Sequence, residues 1–290
     1  MLDLTTCDPA RLEIIDHVCS KILARADHLQ PSDLMVLGAQ CRDVLHDALG
    51  GHAFPLRATQ DLDLAIAIAN WEAYREIVTD LPASGGTGIR YKVGEVLTDL
   101  VPFGPIEDPT GFVPDPPNRS LSVWGGFQEV FDRGYHLSLP TVGAIRIPTV
   151  AGYTALKLVA WLDRSESGRY KDAPDIAAAL YWYITSPPAA KDRLYGDPPH
   201  HGFDILDKFE FDEDRALAYL LGEDVAATVG LERLAELAAR WPGPPRGEVL
   251  APRMDIDAAL STWSPDIGRR EELLAALTLG WSETLRSAHT

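Results

Sequence analysis

The chain has 290 residues, of which 46% are hydrophobic and 24% are charged, a composition typical of a globular protein with a substantial core. It carries 26 Lys and Arg against 43 Asp and Glu, so its formal net charge is −17 and neither nucleic acid nor an anionic membrane is a default partner. Three cysteines without a CxxC pair, no signal sequence and no long apolar run predict a soluble cytoplasmic protein without a disulfide scaffold.

The first 150 residues alternate between the patterns of helices and strands. Apolar residues at intervals of three and four predict amphipathic helices, and alternation or short apolar runs predict strands. The elements expected in chain order are a helix over 11–26, a strand over 33–38, a helix over 42–49, a strand over 61–69, a helix over 71–81, strands over 89–93 and 96–101, a long loop over 102–118 and a hairpin over 135–147.

Beyond residue 149 the strand-like alternation ends. Ala- and Leu-rich segments with helical spacing, separated by Pro-rich breaks, continue from there. The sequence therefore predicts an α/β (α+β) domain with a mixed sheet over 1–150 and a mainly α-helical domain over 151–290.

Two acids, Asp61 and Asp63, stand at the start of an apolar strand. Residues i and i+2 of a strand point to the same face, so the two carboxylates project side by side. Like charges in this arrangement are costly unless a cation lies between them, and Mg²⁺ prefers carboxylate oxygens together with substrate phosphates. The motif alone has little specificity, because a pair of acids in a solvated turn has the same pattern.

Two further features accompany this pair. Gly38 lies between a predicted strand and a predicted helix, where a glycine either makes a simple turn or lets a triphosphate approach backbone N–H groups. Asp99 lies inside an apolar strand, where an acid needs a partner such as Arg90 or Lys92, or a role in a site. In haloacid dehalogenase phosphatases and many sugar-nucleotide transferases the acids follow the strand, whereas here they precede it, as in a nucleotidyltransferase palm.

A local group of basic residues lies in the otherwise acidic second half. Lys157, Trp161 and Arg164 fall at i, i+4 and i+7, on one face of a helix. A triphosphate needs such cations, because Lys supplies a compact charge and Arg binds phosphate through two hydrogen bonds. The alternative is a lysine beside a core tryptophan that forms surface ion pairs with Asp163, Glu166 or Asp172.

Five segments, in this order, resemble the motifs of the AbiEii-like nucleotidyltransferases, many of which are toxins of type IV toxin–antitoxin pairs. These segments are 36–43, 57–63, 99–107, 156–164 and 171–176. The resemblance implies that the α/β domain is a nucleotidyltransferase palm. It extends over roughly residues 32 to 185, and the remaining residues carry none of its motifs.

The resemblance also implies roles for individual residues. The metal ligands would be Asp61, Asp63 and Asp99. The catalytic residues would be Asp61, Asp63, Asp99, Lys157 and Asp175, with Asp172 as the alternative to Asp175. The NTP-binding residues would be Gly38, Ala39, Arg42, Lys157 and Arg164. Ala39 departs from the family, which often has Ser or a second Gly there, so a hydroxyl contact to the triphosphate is missing while the backbone donors remain.

These features predict a nucleotidyltransferase that uses two Mg²⁺ ions to move a nucleoside monophosphate from an NTP to an acceptor hydroxyl. The resemblance implies RNA, in particular tRNA, as the acceptor and an antitoxin protein as a partner, and no membrane partner is expected. The net charge of −17 restricts any RNA to a small basic footprint formed by Arg164, Arg169, Lys171, Lys191 and Arg193. Two alternatives stay open: kinase-like phosphoryl transfer to a protein, and a non-catalytic protein that senses nucleotides or binds a partner.

Overall fold

The computed structural model of the chain describes residues 4–50, 54, 56–57, 61–107, 112–113, 121–122, 126–185, 188–196, 200–241, 246–256 and 263–288. The chain divides into two compact units, the first formed by residues 1–48 and 56–149 and the second by 49–55 and 150–290. The first unit contains a six-stranded mixed sheet with helices, and the described elements of the second are helices. The predicted mixed α/β class with a helical C-terminal region is thus confirmed.

The first unit contains α1 (Pro9–Leu23), β1 (Leu34–Leu37), α2 (Gly38–Leu45), β2 (Leu62–Ala67), α3 (Trp71–Val78), β3 (Arg90–Val93), β4 (Val96–Phe103), β5 (Phe112–Val113), β6 (Leu121–Ser122), α4 (Phe127–Asp132), β7 (Tyr135–Leu139) and β8 (Gly143–Ile147). A 3-10 turn precedes β1 and a π-helical turn follows α2. The predicted helix over 42–49 therefore begins four residues early, at Gly38.

The loop expected over 102–118 is interrupted by regular structure, so that prediction is wrong in part. Strand β4 continues to Phe103, and β5 pairs with β6 as a separate two-stranded ribbon. The rest of this stretch beyond residue 107 lies outside the described residues.

The six strands of the main sheet have the order β3-β4-β2-β1-β8-β7. Strand β1 is antiparallel to β2 and parallel to β8, and β2 is parallel to β4. The pairs β3–β4 and β7–β8 are antiparallel hairpins at the two edges. All four residues of β1 are buried, as expected of a central strand covered on both faces. The consequence for the site is that β1, β2, β4 and β3 lie side by side.

The three cysteines, Cys7, Cys19 and Cys41, all lie in the first unit. All three are buried and form no disulfide, and Cys19 lies on the inward face of α1 beside Ile15, Val18 and Ile22. Burial raises the pKa of the Cys19 thiol to about 12. A thiol held in its protonated form is a poor nucleophile and a poor metal ligand, so Cys19 serves packing.

The second unit contains α5 (Val150–Ser165), α6 (Ala173–Thr185), α7 (Pro188–Tyr195), α8 (His200–Lys208), α9 (Glu213–Arg240), α10 (Arg246–Arg253) and α11 (Ile267–Ser287). Helix α9 is broken at Gly230, whose φ is 75°. Helices α9 and α11 pack backbone to backbone, because a Cβ on Gly222 or Gly280 would lie 2.1 Å from a carbonyl oxygen of the facing helix. Within the described ranges no helix is both long enough and apolar enough to cross a membrane.

Candidate functional site

The register of the main sheet places the predicted site residues in one row. Leu37 of β1 pairs with Asp63 of β2, and Asp63 pairs with Asp99 of β4. Asp99 in turn pairs with Arg90 of β3. Paired residues on neighbouring strands share a face of the sheet, and the strands are about 4.8 Å apart. Asp63, Asp99 and Arg90 therefore present their side chains next to one another.

Arg90 is bound to two of the three acids. Its Nε donates to Asp99 Oδ1 at 2.7 Å and its Nη2 to Asp99 Oδ2 at 3.1 Å, the two-bond fork of an arginine on a carboxylate. Nη2 also donates to Asp61 Oδ2 at 3.2 Å. The hydrogen bond and charge of Asp99, and then the charges of Asp61 and Asp63, raise the pKa of the Arg90 guanidinium. We call Asp61, Asp63, Asp99 and Arg90 the carboxylate set.

Water reaches the carboxylate set. The exposed fraction of the side chain is 42% for Asp61, 32% for Arg90 and 19% for Asp99. Of the two partners expected for Asp99, the structure selects Arg90, whereas Lys92 pairs with Glu95 at 2.8 Å. Two of these accessible acids, Asp61 and Asp99, thus share Arg90 as their partner.

Gly38 begins α2 directly against Asp63. Its φ is +60°, in the left-handed region, and a Cβ built there would lie 1.7 Å from Asp63 Oδ2. A glycine is thus required twice, for its backbone conformation and for the space that the carboxylate occupies. Leu37, the N-cap residue, offers no side-chain hydrogen bond, and the positive end of the helix stabilises the nearby carboxylate. The predicted contact between Gly38 and a triphosphate stays a prediction.

A buried ionic network fixes α2. Arg11 of α1 contacts Asp43 at 2.5 Å and Asp47 at 3.1 Å. Arg42 donates to Asp43 at 2.8 Å and to the carbonyl of Arg57 at 2.7 Å, and only 3% of Arg42 is exposed. The structure thus engages Arg42 within the protein, and its predicted role in NTP binding stays a prediction. Ala39, the second residue of the helix, is half-buried.

The later motifs meet in the second unit, between α5 and the start of α6. Lys157 Nζ lies 2.6 Å from Asp175 Oδ2 and 3.6 Å from Asp172 Oδ1. Arg164 Nη1 donates to both oxygens of Asp172, at 2.8 and 3.0 Å. The Asp172 side chain is fully buried, and so is the neighbouring Trp161. We call Lys157, Arg164, Asp172 and Asp175 the Lys157 cluster.

The contacts of the Lys157 cluster agree in part with the alternative interpretation of this helix face, in which Lys157 lies beside a core tryptophan and pairs with nearby acids. Lys157 lies one turn from the core residue Trp161 and pairs with Asp172, one of the three acids expected. It also pairs with Asp175, which the family resemblance assigned to catalysis. The residues of the two later motifs are thus brought together, whereas the carboxylate set belongs to the other unit.

The basic residues expected to bind RNA are engaged with acids or hydroxyls where the structure describes their contacts. Arg193 contacts Asp224 at 2.5 Å and Glu223 at 3.1 Å, and Lys191 lies 3.5 Å from Glu213. Arg169 donates to the hydroxyl of Ser167 at 3.1 Å. A phosphate bound here would compete with these protein partners for the positive charges.

Sequence reasoning named Arg90 as a partner of Asp99 and missed its contact with Asp61. The turn between the two predicted strands signals the pairing of Arg90 with Asp99, and it carries no signal for the contact with Asp61. Val93 pairs with Val96 across the two residues Gly94 and Glu95, and Gly94 has a φ of 62°. A two-residue hairpin fixes register, so it sets Arg90 opposite Asp99.

The chain matches no protein-family model and no curated protein. Within the described ranges no group of three or more His, Cys, Asp or Glu side chains is arranged to hold a metal ion. At the carboxylate set, Arg90 lies between Asp61 and Asp99 through its hydrogen bonds to both. By its fold, the protein consists of a mixed α/β unit and a helical unit.

Proposed function

We propose that the chain is a Mg²⁺-dependent nucleotidyltransferase that transfers a nucleoside monophosphate from an NTP to an acceptor hydroxyl. The observation that carries this proposal is the register of β2 and β4, which aligns Asp63 with Asp99 on adjacent parallel strands. Asp61 stands two residues before Asp63, and α2 begins against the Asp63 carboxylate. Three acids beside a helix N-terminus suit a reaction between a metal-bound triphosphate and an alcohol.

The three acids are of the donor type that a hard divalent cation takes, and binding one requires their side chains to leave the present arrangement, in which Arg90 holds Asp61 and Asp99. Carboxylate oxygens are the ligands that Mg²⁺ prefers, and the acids are accessible to water. A guanidinium already lies between Asp61 and Asp99, so positive charge is accommodated there. When bound, a divalent ion neutralises the triphosphate and activates the acceptor hydroxyl.

The roles of the residues follow from their positions in the row. Asp61, Asp63 and Asp99 would hold the metal, and Asp99 would also accept the proton of the acceptor hydroxyl as a general base. The acceptor oxygen forms a bond to the α-phosphorus while the bond from that phosphorus to the pyrophosphate breaks. Backbone N–H groups at the start of α2 are the donors available to the triphosphate.

The family resemblance implies that the acceptor is RNA, in particular tRNA. It also implies that an antitoxin protein binds this chain. The net charge of −17 and the paired state of Arg193 and Lys191 both disfavour an extended grip on a phosphate backbone. The RNA is therefore held by few contacts, and its affinity falls only gently with salt, with about three to five phosphates contributing to the log–log slope.

The experiment that tests the proposed function uses ATP, CTP, GTP and UTP, each labelled in turn on the α- and on the γ-phosphate, with Mg²⁺ and total cellular RNA and protein. We expect label from the α-phosphate to enter a macromolecule and label from the γ-phosphate to leave with pyrophosphate. Asp63→Asn is the control, with transfer reduced by about 1,000-fold, the size of loss seen when a charge-stabilising group is removed from an active site. Incorporation from the γ-phosphate would establish phosphoryl transfer instead, and no incorporation from either would overturn catalysis.

A further inference from the structure

Arg90 differs in accessibility from Arg42, the buried arginine of the first unit that also binds an aspartate. Its side chain is 32% exposed, and it extends from β3, the edge strand of the main sheet. The Arg42 side chain, by contrast, is 4% exposed and is bound inside the protein. The Arg90 side chain can therefore leave its partners by rotating towards water, without opening the core.

The contacts of Arg90 occupy oxygens that the proposed metal needs. Both oxygens of Asp99 and one oxygen of Asp61 accept hydrogen bonds from its guanidinium. A divalent ion on the same oxygens would compete with these bonds and repel the guanidinium. Metal and Arg90 cannot both hold the carboxylate set in this geometry.

A guanidinium that leaves a carboxylate needs another anion. Its planar fork matches phosphate as well as carboxylate, with two parallel hydrogen bonds in either case. An NTP bound at the carboxylate set would supply phosphate oxygens as such an anion. The released side chain would then have its second preferred partner available.

We propose that Arg90 is an exchangeable counter-cation, which holds Asp61 and Asp99 in the metal-free protein and passes to the triphosphate when metal and NTP bind. This inference rests on the proposed function, because it requires metal and NTP at the carboxylate set. It assigns to Arg90 two opposite effects: it weakens the binding of metal alone and strengthens the binding of NTP in the presence of metal.

The test compares the wild type with Arg90→Gln, which keeps much of the side-chain length and removes the charge. Lys92→Gln is the matched control, because Lys92 lies two residues away on the same face of β3 and also pairs with an acid. Mn²⁺ affinity is measured from the electron paramagnetic resonance signal of the free ion. Since hydrogen bonds to charged groups must be broken in the wild type only, we expect Arg90→Gln to bind Mn²⁺ about tenfold more tightly.

The second arm measures binding of a labelled NTP at saturating Mg²⁺. Because the bidentate phosphate contact is lost, we expect Arg90→Gln to bind NTP about tenfold more weakly. Lys92→Gln should match the wild type in both arms. A residue with only a structural role would weaken both ligands together, so the opposite signs are the signature of exchange.

Three outcomes overturn the inference. Equal Mn²⁺ affinity in the wild type and Arg90→Gln overturns the exchange and leaves the proposed function intact. Tighter Mn²⁺ binding with unchanged NTP affinity overturns the transfer of Arg90 to the triphosphate. Failure of both proteins to bind Mn²⁺ overturns the metal site, and with it the proposed function.

The wild-type protein supplies a measurement that does not depend on the folding of a variant. The Nε–H resonance of Arg90 is assigned by its absence from the spectrum of Arg90→Lys. We expect this resonance to shift on addition of Mg²⁺ as the hydrogen bond to Asp99 breaks. An Nε–H resonance that stays unchanged while Mg²⁺ binds would overturn the exchange.

Discussion

The carboxylate set and the Lys157 cluster both join aspartates to basic side chains, and they differ in how far water reaches the aspartates. In the carboxylate set Asp61 is 42% exposed and Arg90 is 32% exposed. In the Lys157 cluster Asp172 is fully buried, and Lys157 is 14% exposed. The two groups also belong to different units of the chain, one on a sheet and one between helices.

This difference distinguishes a candidate cation-binding site from an ion-pair cluster that stabilises the packing of two helices. An ion pair in contact with water is worth little and is easily exchanged, because water and salt screen both charges. A buried acid that loses its partner is left as an uncompensated charge, which is strongly destabilising. The carboxylate set is therefore suited to exchanging one cation for another, and the Lys157 cluster is suited to fixing α5 against α6.

The largest expected effect in this comparison is on stability. Because Asp172 is buried between Arg164 and Lys157, we expect Asp172→Asn to lower the free energy of unfolding by about 4 kcal/mol. Asp61→Asn, which removes an acid from an exposed ion pair, should change it by less than about 1 kcal/mol. Urea unfolding followed by circular dichroism measures both. Equal losses would show that exposure does not distinguish the two clusters.

A second prediction concerns the space between Gly38 and Asp63. Gly38→Ala must accommodate a left-handed residue and a clash with the Asp63 carboxylate, so we expect it to cost about 3 kcal/mol in total. Gly143→Ala is the matched control, because Gly143 also has a positive φ, +87°, but open space around its Cβ position. The control should cost about 1 kcal/mol, and it should leave Mn²⁺ affinity unchanged.

The outcome that would contradict this account is the same loss for both alanine variants. In that case backbone strain alone would explain Gly38, and the close approach of the Asp63 carboxylate would have no energetic consequence. Wild-type Mn²⁺ affinity in a folded Gly38→Ala protein would likewise remove Asp63 from the metal ligands.

Local patterns in the sequence predict the strands of the site well. Strand β2 was expected over 61–69 and extends over Leu62–Ala67, and β3 was expected over 89–93 and extends over Arg90–Val93. Alternation and short apolar runs report which side chains are buried, and four of the six residues of β2 are buried. The helix expected over 71–81 is α3, which Asn70 caps by accepting from the N–H of Ala73.

Contacts between distant segments could not be predicted in the same way. The parallel pairing of β2 with β4 joins segments more than thirty residues apart, and no local pattern specifies it. Lys157 lies closer to Asp175 than to Asp172, and the turn between α5 and α6 sets these two distances. In both cases the sequence supplies the charged residues, and the packing of whole elements decides which of them meet.

The central claim is that the carboxylate set takes up a divalent cation. The effect of Mg²⁺ on the free energy of unfolding tests this claim most directly. An ion that binds only the folded protein stabilises it by about 1.4 kcal/mol at ten times its dissociation constant. We therefore expect Mg²⁺ to raise the free energy of unfolding of the wild type by this amount, at constant ionic strength, and to leave that of Asp63→Asn unchanged. A wild-type protein that does not respond to Mg²⁺, or an Asp63→Asn protein that responds equally, would contradict the account.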